Sequence, residues 1–233
     1  GGYIAVQPCI RVESEGVAGQ TINITNCTFA GGFTQLSIAN GDDPSVILNA
    51  IIDGCYFLGS YQSGDVIGTE NAGTTVRNNV AVIPNPTTRI GPGLSSFVVL
   101  GNVGGGASLV PPMKIYGNTI VNLTSDTLGV VANNGGYSNV TTQNNVIHQP
   151  AASPPQTADA PLVTTPALWT PREMGYMDRA TPRITASATP SGTPAAYSLD
   201  TGSDAIGDAT TGLIPPFNII GDERADPPNR GAW

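Results

Sequence analysis

Five eight-residue segments repeat one pattern along the chain: residues 22–29 (INITNCTF), 50–57 (AIIDGCYF), 74–81 (TTVRNNVA), 113–120 (MKIYGNTI) and 140–147 (VTTQNNVI). The fifth position is always Asn or Gly: Asn26, Gly54, Asn78, Gly117 and Asn144. These two residue types enter the left-handed backbone region at the lowest cost. Apolar alternation runs through the first and third positions, changes parity, and resumes at the sixth and eighth. A strand alternates with period two, so a change of parity requires a bend. Each segment therefore predicts two short strands joined by one left-handed corner.

Short apolar stretches at 36–39, 66–68, 97–100, 128–132 and 162–164 supply a further strand for each repeat. The corners at 26, 54, 78, 117 and 144 are spaced by 28, 24, 39 and 27 residues, with turn-rich insertions at 84–96 and 102–112 accounting for the 39. A period of this length means a solenoid, in which each coil buries its apolar face on the next. Residues 4–12 (IAVQPCIRV) read as an imperfect earlier coil with Pro8 at its bend. At the inward sixth position Asn79, Asn118 and Asn145 predict a ladder of mutually hydrogen-bonded amides. Cys27 and Cys55 share that column and read as small buried hydrophobes.

Composition narrows the function. Only 11% of the 233 residues are charged, and nine basic residues give a net charge of −8. That leaves no positive footprint for a phosphate backbone, which argues against nucleic acid. No apolar run approaches the roughly 18 residues a membrane span needs. The three Cys and one His, at 9, 27, 55 and 148, lack the close paired spacing of a zinc site, and no other metal or cofactor signature is present. The opening Gly1-Gly2-Tyr3 reads as the start of a fragment or processed product.

On this repeat the chain resembles right-handed parallel β-helix proteins, whose coils bend at Asn or Gly and stack Asn side chains inside. The resemblance implies an all-β solenoid of about five coils over residues 20–165, after a lead-in or partial coil at 1–19. Thirteen of the 20 prolines lie from Pro150 onward, where the coil pattern stops. Within the remaining segment, 166–233, two motifs resemble the C-terminal closing segment of bacterial and phage β-helix proteins. One is 202–207 (GSDAIG); the other joins 221–224 (GDER) to 228–233 (PNRGAW). Their expected role is a cap over the open solenoid end, which would otherwise expose strand edges.

The outward positions are where a solenoid carries its chemistry. The fourth position reads Thr25, Asp53, Arg77, Tyr116 and Gln143; the second includes Lys114 and the seventh Tyr56. Asp53, Tyr56, Arg77, Lys114 and Tyr116 form the candidate glycan face, with charged, hydrogen-bonding and aromatic groups on consecutive coils. The plainer alternative is a solvated face with one cross-coil ion pair. Asp42-Asp43 and the pair Asp65 and Glu70 are the close acidic pairs of the coil region, and no clustered set matches lyase or hydrolase chemistry. No catalytic residue is therefore assigned. His148 is expected at the surface or in a loop. The sequons at Asn23, Asn26, Asn122 and Asn139 read as by-products of the repeat.

The resemblance implies a non-enzymatic structural protein, extracellular and on the surface of a virion or phage-like particle, such as a spike or fibre. Its partners would be cell-surface polysaccharide and other particle proteins, and spikes of this fold are usually homotrimers. The alternatives are a β-helix polysaccharide lyase or glycoside hydrolase, and a bacterial surface adhesin or stalk module.

Overall fold

A computed structural model of the chain describes residues 10–13, 19–30, 35–39, 49–58, 66–70, 73–83, 96–101, 112–123, 129–133, 140–148, 172–173, 176–177, 193–199, 201, 203, 205–209 and 212–233. Three strands recur in each coil. The first coil holds β1 (Ile10–Glu13), β2 (Thr21–Thr25) and β3 (Thr28–Ala30), and the second β4 (Leu36–Ala39), β5 (Asn49–Asp53) and β6 (Tyr56–Leu58). The third holds β7 (Ile67–Glu70), β8 (Gly73–Arg77) and β9 (Val80–Ile83). The fourth holds β10 (Ser96–Gly101), β11 (Met113–Tyr116) and β12 (Thr119–Asn122), and the fifth β13 (Gly129–Asn133), β14 (Val140–Gln143) and β15 (Val146–His148).

Equivalent strands of successive coils pair in parallel, giving sheet A (β1, β4, β7, β10, β13), sheet B (β2, β5, β8, β11, β14) and sheet C (β3, β6, β9, β12, β15). The molecule is a five-coil, right-handed parallel β-helix. Residues 10–12 of the stretch read as an imperfect coil, together with Glu13, form the first strand of sheet A, in register with Leu36–Ala39.

The left-handed corners lie where the repeat puts them. Asn26, Gly54, Asn78, Gly117 and Asn144 have φ of 53°, 65°, 56°, 62° and 56°, and each joins a sheet B strand to a sheet C strand. Inside, Ile52, Val76 and Ile115 of sheet B face Phe57, Ala81 and Ile120 of sheet C and Leu36, Ile38 and Ile67 of sheet A. The Phe29 and Phe57 rings stack at 4.8 Å in the spacing of adjacent coils, and Phe97 meets Phe57 edge-on at 6.0 Å.

The amide ladder is continuous. Asn79 Nδ2 donates to Asn118 Oδ1 and Asn118 Nδ2 to Asn145 Oδ1, both at 2.9 Å. The same carbonyl oxygens accept the backbone N–H groups of Asn79 and Asn118, and Asn79 Oδ1 accepts that of Cys55 at 2.8 Å. Each buried amide thus satisfies a corner that the strand ladders leave unpaired. Cys55 ends the ladder; it is buried, and desolvation pushes its thiol up to about 11. Cys27 departs from the expectation of burial. It is exposed and unbridged, because it sits in the first coil, and among the described residues no strand pairs with the outer edge of β2 or β3.

The closing segment acts in two places. Its strands β16 (Arg172–Glu173) and β17 (Tyr176–Met177) add to the last edges of sheets A and C, antiparallel on β13 and parallel on β15. The described residues of the two closing motifs lie along the side of the solenoid, where Ala205, Ala232 and Trp233, with Tyr197, pack on Tyr56, Val80, Val82, Val121 and Val146. The outward face of sheet C carries apolar side chains on four consecutive coils, Tyr56 and Leu58, Val80 and Val82, Val121, and Val146, so it needs a cover along its length. Backbone bonds fix the strap: Gly231 N–H donates to Asn144 O at 2.8 Å and Ala232 N–H to Thr119 Oγ1 at 2.9 Å. Gly231 sits at φ 77°, and a Cβ there would collide with Thr119 Oγ1. His148 is a further correction: it is buried on this same outward row, in register with Val121 and Val82.

Candidate functional site

Strands β5, β8 and β11 set Asp53, Arg77 and Tyr116 on consecutive rungs, in direct register. Arg77 Nε donates to Asp53 Oδ2 at 2.8 Å, with Nη2 2.7 Å from the same oxygen, and Nη1 donates to the Tyr116 hydroxyl at 3.1 Å. Partial burial acts to lower the Arg77 pKa, but the hydrogen bonds to Tyr116 and Asp53 and the field of Asp53 outweigh it and move it up. An arginine held cationic in this way is a hydrogen-bond donor, not a proton acceptor.

Lys114 stands exposed on the same face, in register with Thr75 and Thr141. Tyr56 is not on it. The left-handed corner turns Tyr56 onto the outer face of sheet C, where it is 2% exposed beneath the strap, its ring 6.4 Å from that of Tyr197. Burial and the neighbouring Tyr197 hydroxyl push its pKa up. Asp42, Asp43 and Asp65 lie outside the described residues, and Glu70 ends β7 in sheet A, not sheet B. Among the described residues no group of three His, Cys, Asp or Glu is placed to hold a metal ion, and no helix is long and apolar enough to cross a membrane.

The strap brings in residues that the repeat pattern does not reveal. It follows the corners back toward the first coil: Leu213 O accepts from Asn144 Nδ2 and Leu213 N–H donates to Gln143 Oε1, while Pro215 fills the space beside Gly117. Arg224 then reaches Asn78 Oδ1 at 3.1 Å. Beyond it the chain turns tightly at 218–222, where Asn218 Oδ1 accepts the N–H groups of Ile220 and Asp222, and Gly221 takes φ 91°. This turn overhangs the first corners without filling the space below. A groove of about 410 Å³ remains, lined by Thr25, Asn26, Asp53, Asn78, Phe217, Asn218, Ile219 and Gly221. A second space of about 380 Å³ continues it past Gly54 and Tyr56 on the other side of the corner ridge. Phe217 and Ile220 are 53% and 55% exposed at the rim. No sequence signal marks Phe217, because the stretch around it has no periodicity.

Compared with protein-family models, curated proteins and solved structures, the chain matches none. The functional reading therefore rests on the fold and on these side chains.

Proposed function

We propose that this chain is a rigid, non-enzymatic structural module of a virion or phage-like particle surface, which meets cell-surface polysaccharide along sheet B. The observation that carries the reading is the collinear, hydrogen-bonded row Asp53–Arg77–Tyr116, with exposed Lys114 beside it and the groove at its end. A row of hydrogen-bonding groups repeating at about the 4.8 Å coil spacing offers successive contacts to an extended chain of sugars. The internal ladder and stacked rings support stiffness, because each coil is tied to the next by side chains as well as backbone. Low charge supports exposure to salt and solvent, since few surface ion pairs are there to be screened.

Incubation with neutral and acidic bacterial polysaccharides, followed by size-exclusion chromatography of the sugar, tests the reading. Intact chains that co-elute with the protein are expected. Shortened chains would overturn it in favour of a lyase or hydrolase. Sedimentation equilibrium tests the associated expectation of a homotrimer.

A further inference from the structure

We infer that the groove between Asp53 and the turn at 218–222 is a subsite for one uncharged sugar ring, stacked on Phe217. The inference rests on the glycan-contact reading above and specifies the class of sugar. At about 410 Å³ the groove falls within the roughly 300–1,000 Å³ range of small-molecule sites.

Its lining divides by chemistry. On the turn side Phe217 and Ile219 present apolar surface, with Phe217 more than half exposed and, among the described residues, in neither hydrophobic cluster. On the solenoid side stand Thr25, Asn26, Asp53 and Asn78. Asp53 Oδ2 is taken by Arg77, whereas among the described residues no hydrogen bond reaches Oδ1. Asn78 Oδ1 is taken by Arg224, which leaves its Nδ2 hydrogens as donors toward the groove. The free set is therefore an anionic acceptor, amide donors and a hydroxyl. Neighbouring sugar hydroxyls, each both donor and acceptor, match such a set, while the C–H face of a pyranose matches a Phe ring.

Charge decides against uronates and other anionic sugars. Among the described residues Asp53 is the only charged side chain lining the groove. Arg77, which could have received a sugar carboxylate, directs two of its nitrogens at Asp53 and the third at Tyr116. An incoming carboxylate would meet Asp53, while the described cations beside it, Arg77 and Arg224, already direct their nitrogens at acceptors of the protein, and like charges at close range disfavour binding.

The test is calorimetric titration of the full chain with hexasaccharides of uniform length: neutral glucose, mannose and galactose hexamers against galacturonate and mannuronate hexamers. At least one neutral hexamer is expected to bind. Phe217→Ala and Asp53→Asn should each weaken it by about tenfold, the scale of one lost stacking or charge-assisted contact. Asp53→Asn should in turn strengthen uronate binding, because it removes the repelling charge and frees Arg77. Both side chains are at least partly exposed, so unchanged thermal melting verifies that the variants fold. A preference of the native chain for uronates, or neutral binding that neither substitution weakens, overturns the subsite and leaves the wider glycan reading standing. No binding by any hexamer overturns both.

Discussion

Arg224 donates from Nη2 to Asn78 Oδ1 at 3.1 Å, joining residues 146 positions apart in the chain. The same guanidinium donates to the carbonyl oxygens of Trp233 at 2.6 Å, Gly231 at 2.9 Å, Asn229 at 3.1 Å and Phe217 at 3.3 Å. It therefore holds both arms of the strap together and ties them to the third corner of the solenoid. Burial pulls its pKa down to about 10, with nearby Asp53 acting the other way.

Arg224→Lys should loosen the strap, because an ammonium has three donors from one point and does not reproduce this planar fork. A loss of about 2–4 kcal/mol is expected from the carbonyls left without partners. Denaturant unfolding measures it. Trp233 fluorescence in a Trp169→Phe background should shift to the red as the indole leaves the face of sheet C.

Asn144 tests the corners. Its φ is 56°, and its side chain is buried and bonded to Leu213 O at 3.1 Å. Asn144→Val forces a β-branched residue into the left-handed region and removes that bond, which should cost about 2–4 kcal/mol. Asn144→Gly keeps the backbone conformation and should cost less. Equal melting temperatures for the two variants would refute the strain account.

The ladder has its own signature. Asn118→Leu deletes the acceptor for both the backbone and side-chain N–H groups of Asn79, and the donor to Asn145. Buried donors without partners cost about 1–3 kcal/mol each, so the total should reach about 3–5 kcal/mol. The loss should exceed that of Asn79→Leu, since Asn79 has a ladder amide on one side and Cys55 on the other. Chemical denaturation of the two variants ranks them directly.

His148 predicts a pH dependence. Burial lowers its pKa in the folded chain below the ordinary 6.5. The unfolded chain then binds its proton first as pH falls, so this contribution to stability is complete above about pH 6.5 and declines below it. It stops declining once pH passes below the folded pKa. His148→Leu, which suits the apolar row of Val82 and Val121, should flatten the melting-temperature profile between pH 7 and pH 5. Parallel profiles for the two proteins would remove His148 as the source.

Much of the solenoid was legible in the residues. A parity change around Asn or Gly has one cheap backbone solution, so the five corners, the register of Asp53, Arg77 and Tyr116 and the Asn79–Asn118–Asn145 ladder all follow from local chemistry repeated at intervals. Tyr56 and His148 were misplaced for a common reason. Alternation tells which side of a strand a residue faces, and both do face away from the coil interior. It does not tell whether another part of the chain lies on that outer side.

The strap made that decision. Its path along the corners depends on partners such as Arg224 with Asn78 and Gly231 with Asn144, set by contacts between residues far apart and without any period to announce them. The groove shares this origin, since one wall is a solenoid corner and the other a turn from the end of the sequence. What repeats locally determined the coils. What the non-repeating segment touches, and therefore which outward face stays open to a ligand, was fixed only by tertiary packing.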